Sequence, residues 1–341
     1  MGKTAKDKRD IYYRKAKEEG YRARSAYKLL QIDEELTLFS EEVHRVVDLC
    51  AAPGSWSQVI SKRLKEMGRD IVNQRCVISV DLFEIAPIEG CTMIKGDITR
   101  EKTVQEIQEV FAEGQAQMVV SDGAPDILGD HDFDQYVQHQ LVLAALNISI
   151  RLLSPGGTFV AKVFRGKDIG LLLKQIKLLF TEVYCAKPKS SRNSSIEGFV
   201  VAKGFRAFSP QPGQDQSLLT LTSHKLNVWD ALTTINHLQN FQSVYLGEEE
   251  EDVLGDYIEF VACGKNEELD SDMNYALSTK LVPVKRKSPE EQLEGAGEDK
   301  PVEKRVVVTA KEYNYIEPRQ KPIDPPYKAF LEKRNDLNNQ Q

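Results

Sequence analysis

The sequence predicts an α/β fold: an open, doubly wound, mostly parallel sheet with helices on both faces, followed by a C-terminal extension. Three observations carry it. Between about residues 20 and 205, short Val- and Ile-rich runs alternate with stretches of helical periodicity, the pattern of successive βα units. Three consecutive apolar runs close near an acidic residue, Asp48, Asp81 and Asp97, at strand carboxyl ends where ligands bind in such sheets. After Gly204 the alternation gives way to polar, charged and Pro-containing sequence.

The elements follow in order. Residues 6–19 and 25–36 read as helices, the second with Ser25 as a plausible N-cap and Leu29, Leu30 and Ile32 on its apolar side. Seven strands are expected at 45–50, 76–81, 92–95, 117–121, 157–164, 182–185 and 198–203. Helices are expected between them at 57–67, 101–111, 132–153 and 168–180. Asp168 is the expected N-cap of the last helix, and Pro155-Gly156-Gly157 the expected stop of the long one. Residues 206–341 read as an extension with short apolar stretches near 228–232 and 257–263, and as largely disordered near 284–300.

The bulk composition narrows the function classes. The chain has 341 residues, 41% hydrophobic and 28% charged, enough for one full α/β domain and a tail. No apolar run of about 18 residues or more predicts a transmembrane helix. The basic N-terminus lacks the apolar core of a secretory signal. Cys50, Cys76, Cys91, Cys185 and Cys263 have no metal-type spacing, so neither a zinc site nor a disulfide framework is expected. Reduced thiols and a cytoplasmic location are the expectation.

Net charge is −7, an unpromising figure for a protein that binds nucleic acid, but its distribution is uneven. Residues 1–30 carry ten Lys/Arg against four Asp/Glu, and residues 155–206 carry ten against three. Residues 247–272 carry eleven Asp/Glu against one Lys. Local basic patches attract phosphate regardless of the total; the competing reading of each run is a solvated surface.

The first strand leads into Asp48-Leu49-Cys50-Ala51-Ala52-Pro53-Gly54-Ser55-Trp56-Ser57-Gln58, a loop of small residues opening a helix. Small residues let backbone approach a ligand, and Gly54 reaches φ values other residues avoid. No GxGxxG and no Gly-Lys-Ser/Thr is present, so neither a pyrophosphate fingerprint nor a P-loop is indicated; this weighs against a nicotinamide dehydrogenase. Asp81 suits ribose hydroxyls and Asp97 an adenine amino group. Each alone is equally a turn or helix cap. Together they describe a nucleoside site without a phosphate cradle. Lys162 interrupts the apolar fifth strand, and a buried lysine needs a partner or a role. Asp122 and Glu197 can supply either.

The motifs resemble those of the FtsJ-like (RrmJ-like) family of RNA ribose 2′-O-methyltransferases, and within it the eukaryotic cytosolic tRNA branch that acts on anticodon-loop positions 32 and 34. The resemblance rests on Arg22 to Leu30, Asp48 to Gln58, Ser121-Asp122-Gly123-Ala124-Pro125-Asp126, Lys162-Val163-Phe164, and Ser191 to Glu197, with Phe260 to Gly264, Asp270-Ser271-Asp272 and Pro325-Pro326-Tyr327 as weaker signs of the branch. It implies a Rossmann-like class I methyltransferase fold. It implies S-adenosylmethionine contacts at Gly54, Trp56, Asp81, Asp97 and Asp122, a catalytic tetrad of Lys28, Asp122, Lys162 and Glu197, and no metal. It implies tRNA as substrate and partner proteins, a WD-repeat protein among them, that select the nucleotide. The expected organisation is a basic RNA-binding segment at 1–24, the methyltransferase domain at 25–205, and a partner-docking extension at 206–341. Lys162 in its neutral form is expected to take the hydroxyl proton or steer its lone pair. The alternatives are an rRNA or mRNA-cap substrate, or a non-catalytic RNA scaffold, against which the intact tetrad argues.

Overall fold

The structure, a computed structural model, describes residues 10–72, 75–112, 114–125, 131–166, 169–206, 258–264 and 271–272. Asp126, Asp168, Asp270, the 284–300 stretch and Pro325 to Tyr327 lie outside them.

Two helices precede the sheet, α1 (Ile11–Glu18) and α2 (Ala26–Leu36). Asp10 caps α1 by accepting from the Tyr13 N–H. Ser25 does not cap α2: its backbone is already helical, and its hydroxyl bonds Ser55 Oγ at 2.6 Å instead. The remaining elements are β1 (Val46–Leu49), α3 (Ser55–Glu66), β2 (Val77–Asp81), β3 (Cys91–Lys95), α4 (Glu101–Val110), β4 (Ala116–Ser121), α5 (His131–Leu152), β5 (Leu153–Phe164), α6 (Ile169–Leu179), β6 (Phe180–Pro188), β7 (Glu197–Phe205) and β8 (Glu259–Cys263).

The strands form one sheet in the order β3-β2-β1-β4-β5-β7-β6-β8. Strands β3 to β5 run parallel, β7 is antiparallel to both its neighbours, and β8 runs parallel to β6. The chain winds outward in both directions from β1 and β4, so the crevice at their carboxyl ends is the switch point where such sheets bind ligands.

Two further expectations need correction. Among the described residues the sheet has eight strands rather than seven, because residues 259–263, assigned to the extension, pair with β6 from Tyr184↔Glu259 to Pro188↔Cys263. A five-residue strand with mostly exposed side chains has no local periodicity strong enough to announce itself. The long helix also stops at Leu152, ahead of the Pro-Gly-Gly. Those residues instead lie where β5 bulges against β4, between the pairings Ala116↔Leu153 and Met118↔Thr158.

Each strand sends alternate side chains to two cores. Helices α4, α5 and α6 cover one face, with Val47, Val119, Phe159, Ala161 and Val200 beneath them. Helices α1, α2 and α3 cover the other, over Val46, Met118, Val120, Val160, Phe199 and Val201. That alternation decides where the polar exceptions point. Lys162 has the parity of Val160, and Glu197 that of Phe199 and Val201. Both therefore face the α1–α3 layer, which carries Lys28.

Candidate active site

Strand register brings the polar exceptions together. Lys162 pairs with Phe199, and Phe164 with Glu197, so Lys162 and Glu197 are diagonal neighbours on one face. Lys162 Nζ lies 3.2 Å from Glu197 Oε2 and 3.4 Å from Asp122 Oδ1, just past the end of β4. From α2, Lys28 Nζ reaches Glu197 Oε2 at 2.8 Å and Asp122 Oδ1 at 3.9 Å. The four side chains are 11–17% exposed. All four predicted tetrad residues thus form one cluster of two cations and two anions.

Burial would lower the Lys162 pKa, but the carboxylates of Asp122 and Glu197 outweigh it and raise it above the ordinary lysine value. Burial would likewise push Glu197 up, yet Lys28 and Lys162 hold its carboxyl down at about 2. At neutral pH Lys162 and Glu197 are therefore both ionised at rest. Glu197 is fixed from the other side too: Ser191 Oγ donates to its Oε1 at 2.6 Å.

The β1–α3 loop lies beside the tetrad. Gly54 adopts φ +101°, and a Cβ there would stand 2.6 Å from Ile88 Cδ1 and 2.9 Å from Arg22 Nη1, so only glycine fits this turn. Trp56 is 2% exposed. Its indole donates to the Ser25 carbonyl at 2.8 Å and packs on Phe199, so what it offers a ligand is its main-chain N–H in the first turn of α3, where such donors lack helical partners. Asp81 accepts from the N–H groups of Ala52 and Phe83. Burial would push Asp97 up, but bonds from Thr99 and the nearby Arg100 hold its carboxyl below the ordinary value. Asp48 is almost wholly buried. Its Oδ2 accepts from Ser57 Oγ at 2.6 Å, while its Oδ1 has no hydrogen-bond partner. Burial, reinforced by the charges of Asp122 and Asp81, pushes its carboxyl up to about 8.

This donor set fits a nucleoside bearing positive charge. Carboxylates stand at the ends of β2, β3 and β4. The buried Asp122 Oδ1 has close cations but no hydrogen bond. Leu82 and Phe83, beside Asp81, are 60% and 40% exposed, an apolar rim suited to a flat base.

Sequence reasoning named Arg22 only as part of a motif and gave it no work. Its guanidinium donates to the carbonyls of Pro53, Ala86 and Pro87 at 2.7–2.9 Å, tying the α1–α2 connection to the β1–α3 loop and the segment after β2. The two basic regions meet through Asp10, which pairs with both Arg24 and Arg192. Tyr12, Tyr21 and Tyr27 are buried in the α1–α3 core, so they are not free to stack on bases; Tyr13 is half-buried.

The FtsJ-like methyltransferase family matches residues 21–205. The chain is 45% identical to a tRNA (cytidine(32)/guanosine(34)-2′-O)-methyltransferase of Mus musculus over 328 residues, 96% of this chain and 85% of that one. It is 54% identical over 208 residues to the enzyme of the same name from Schizosaccharomyces pombe, covering 60% of this chain and 73% of that one. It is 46% identical over 199 residues to a ribosomal RNA large subunit methyltransferase E of Methanothrix thermoacetophila, covering 58% of this chain and 74% of that one.

Proposed function

The chain belongs to the FtsJ-like methyltransferase family, and from that premise we propose that it methylates ribose 2′-hydroxyls in the anticodon loop of tRNA, with S-adenosylmethionine as donor. The observation that carries the chemistry is Lys162, held by Asp122 and Glu197 with Lys28 on their far side, at the sheet's switch point. When bound, the cofactor supplies an electrophilic methyl group on a cationic sulfur. Asp81 and Asp97 would hold its nucleoside, and Gly54 with the Trp56 N–H would line the approach. Asp122 would serve both cofactor and tetrad.

A ribose hydroxyl is a weak nucleophile and must lose a proton as it attacks. Asp122 and Glu197 hold the Lys162 ammonium between them as ion-pair partners. The same carboxylates keep it protonated at rest, so the neutral amine that takes the hydroxyl proton forms only after Lys162 has released its own proton to solvent. Lys28 lies close enough to the shared carboxylates to hold the target ribose against them. General-base help of this kind is worth about 10²–10⁴-fold, and in-line positioning can exceed it.

The tRNA substrate is favoured over rRNA by the reach of the similarity. Relatives named for tRNA include one that matches 96% of this chain, extension included, whereas two relatives named for ribosomal RNA match 58% and 60%. Residues 1–24 and the 187–192 loop would meet RNA phosphates, residues 25–205 would form the catalytic domain, and 206–341 would dock partners, a WD-repeat protein among them, in the cytoplasm. The deciding experiment is transfer from labelled S-adenosylmethionine to unmodified total tRNA, with and without cell extract, followed by nucleoside analysis. Label in 2′-O-methylated anticodon-loop nucleosides supports the reading. Label confined to rRNA or capped mRNA overturns the substrate, and none on any RNA overturns the reaction.

A further inference from the structure

The connection between β6 and β7 ends at Glu197, the first residue of β7, so Glu197 takes its position from that loop. Three of the loop's backbone groups are bonded to the C-terminal segment. The Lys189 N–H donates to the Cys263 carbonyl at 2.8 Å. The Ser271 hydroxyl donates to the Ser191 carbonyl at 3.1 Å. The Asp272 carboxylate accepts from the Asn193 N–H at 2.6 Å. Ser271 and Ser191 are both buried, at 7% and 3% exposure, so the Ser191 carbonyl would go unsatisfied without Ser271. The same Ser191 donates its hydroxyl to Glu197 Oε1, which leaves Oε2 for Lys28 and Lys162.

We propose that Ser271 and Asp272 are positioning residues for methyl transfer: they lock the Ser191–Asn193 turn, and through the Ser191 hydroxyl they set the orientation of the Glu197 carboxylate that holds both lysines. These two residues thus support the catalytic site from outside the methyltransferase domain. Neither residue touches the reacting atoms; both act through Ser191. On this turn Asp272 acts as the acceptor for the Asn193 N–H, a place that an amide oxygen can also fill. The inference rests on the reading of Glu197 as a tetrad member.

The test uses the full-length chain with labelled S-adenosylmethionine and unmodified tRNA, comparing Asp272→Ala, Asp272→Asn, the double variant Ser271→Ala/Asp272→Ala, and Glu197→Gln. Misplacing a catalytic group by about an ångström costs up to about a hundredfold. The double variant should therefore lose about ten- to a hundredfold in kcat, with KM for tRNA and cofactor within about twofold of the parent and cofactor binding retained. Asp272→Ala, whose contact lies at the surface, should lose less and remain folded. Asp272→Asn, which keeps an acceptor oxygen, should recover most of the loss. Normal kcat in Asp272→Ala and the double variant, while Glu197→Gln is inactive, overturns the inference and leaves the tetrad standing. A raised KM for tRNA at normal kcat makes these residues RNA contacts and overturns it too. An Asp272→Asn variant as impaired as Asp272→Ala overturns the acceptor geometry. An active Glu197→Gln overturns the tetrad reading beneath it.

Discussion

Lys162 combines two demands that a single residue rarely meets. It must be charged to sit between Asp122 and Glu197 in a buried site, and it must lose that charge to accept a proton. Lys162→Ala leaves two buried carboxylates facing one remaining cation, an arrangement that destabilises, so Lys162→Arg is the cleaner probe. Arginine keeps the charge and cannot deprotonate. Both variants are expected to lose at least about 10²-fold in kcat while cofactor affinity changes by no more than a few fold; near-normal turnover in Lys162→Arg removes the proton-accepting role. Asp48 presents the opposite case. Its carboxyl is pushed up to about 8 by burial, against about 4 in an unfolded chain. Between those values the unfolded state releases a proton that the folded state retains. The stabilising preference for the protonated acid is complete below about pH 4 and is lost as pH rises through about 8. Asn at this position still accepts from Ser57 and cannot ionise. Melting curves of Asp48→Asn and the parent should therefore diverge with pH, the variant gaining most near pH 8. Parallel curves would mean that Asp48 is ionised in the folded protein.

At the level of elements, the site is an assembly of strand ends held by connections, and Arg22 is the clearest such connection. One guanidinium joins the start of α2, the β1–α3 loop and the segment after β2 through three carbonyls. Arg22→Ala should cost about 1–3 kcal/mol of stability. It should also raise the cofactor Kd about tenfold with little change in kcat at saturation, as measured by calorimetry and steady-state kinetics. The elements differ in how legible they were. Strands β1 to β7 could be read because each is a local apolar run bounded by turns, and Lys162 stood out because it broke such a run. The meeting of Lys162, Asp122 and Glu197 was suggested by family motifs; its physical cause, the shared parity of residues 160, 162, 197 and 199 across the β5–β7 register, needed the sheet order. Strand β8 escaped notice because it forms by pairing with β6 some 75 residues earlier, from Tyr184↔Glu259 to Pro188↔Cys263. Ser271 and Asp272 were named only as a sign of the family branch and given no role, because what they bond is backbone, and backbone leaves no sequence pattern.

At the scale of the whole molecule, the question is how a chain of net charge −7 engages a polyanion. The answer proposed is spatial separation of charge. The start of helix α1 and the loop after β6 meet through Asp10, Arg24 and Arg192, which brings the two basic regions of the sequence into contact. Several of their cations are already committed: Arg14 and Lys17 are buried, and Lys187 donates to the Ser195 and Glu197 carbonyls. The remaining long-range attraction then falls heavily on Lys3, Lys6, Lys8 and Arg9 of the N-terminal segment. Each phosphate neutralised contributes about 0.7–0.9 to the slope of log K against log salt. Replacing these four residues by Gln should weaken tRNA binding most at low salt and flatten that slope by up to about 3. Turnover at saturating tRNA and cofactor affinity should stay at parental values, because none of the four belongs to the tetrad. Filter binding across a salt series measures both affinity and slope. An unchanged slope would remove the N-terminal segment from the RNA footprint and leave attraction to the 187–192 loop. A fall in saturated turnover would mean instead that the segment shapes the site as well as steering the substrate to it.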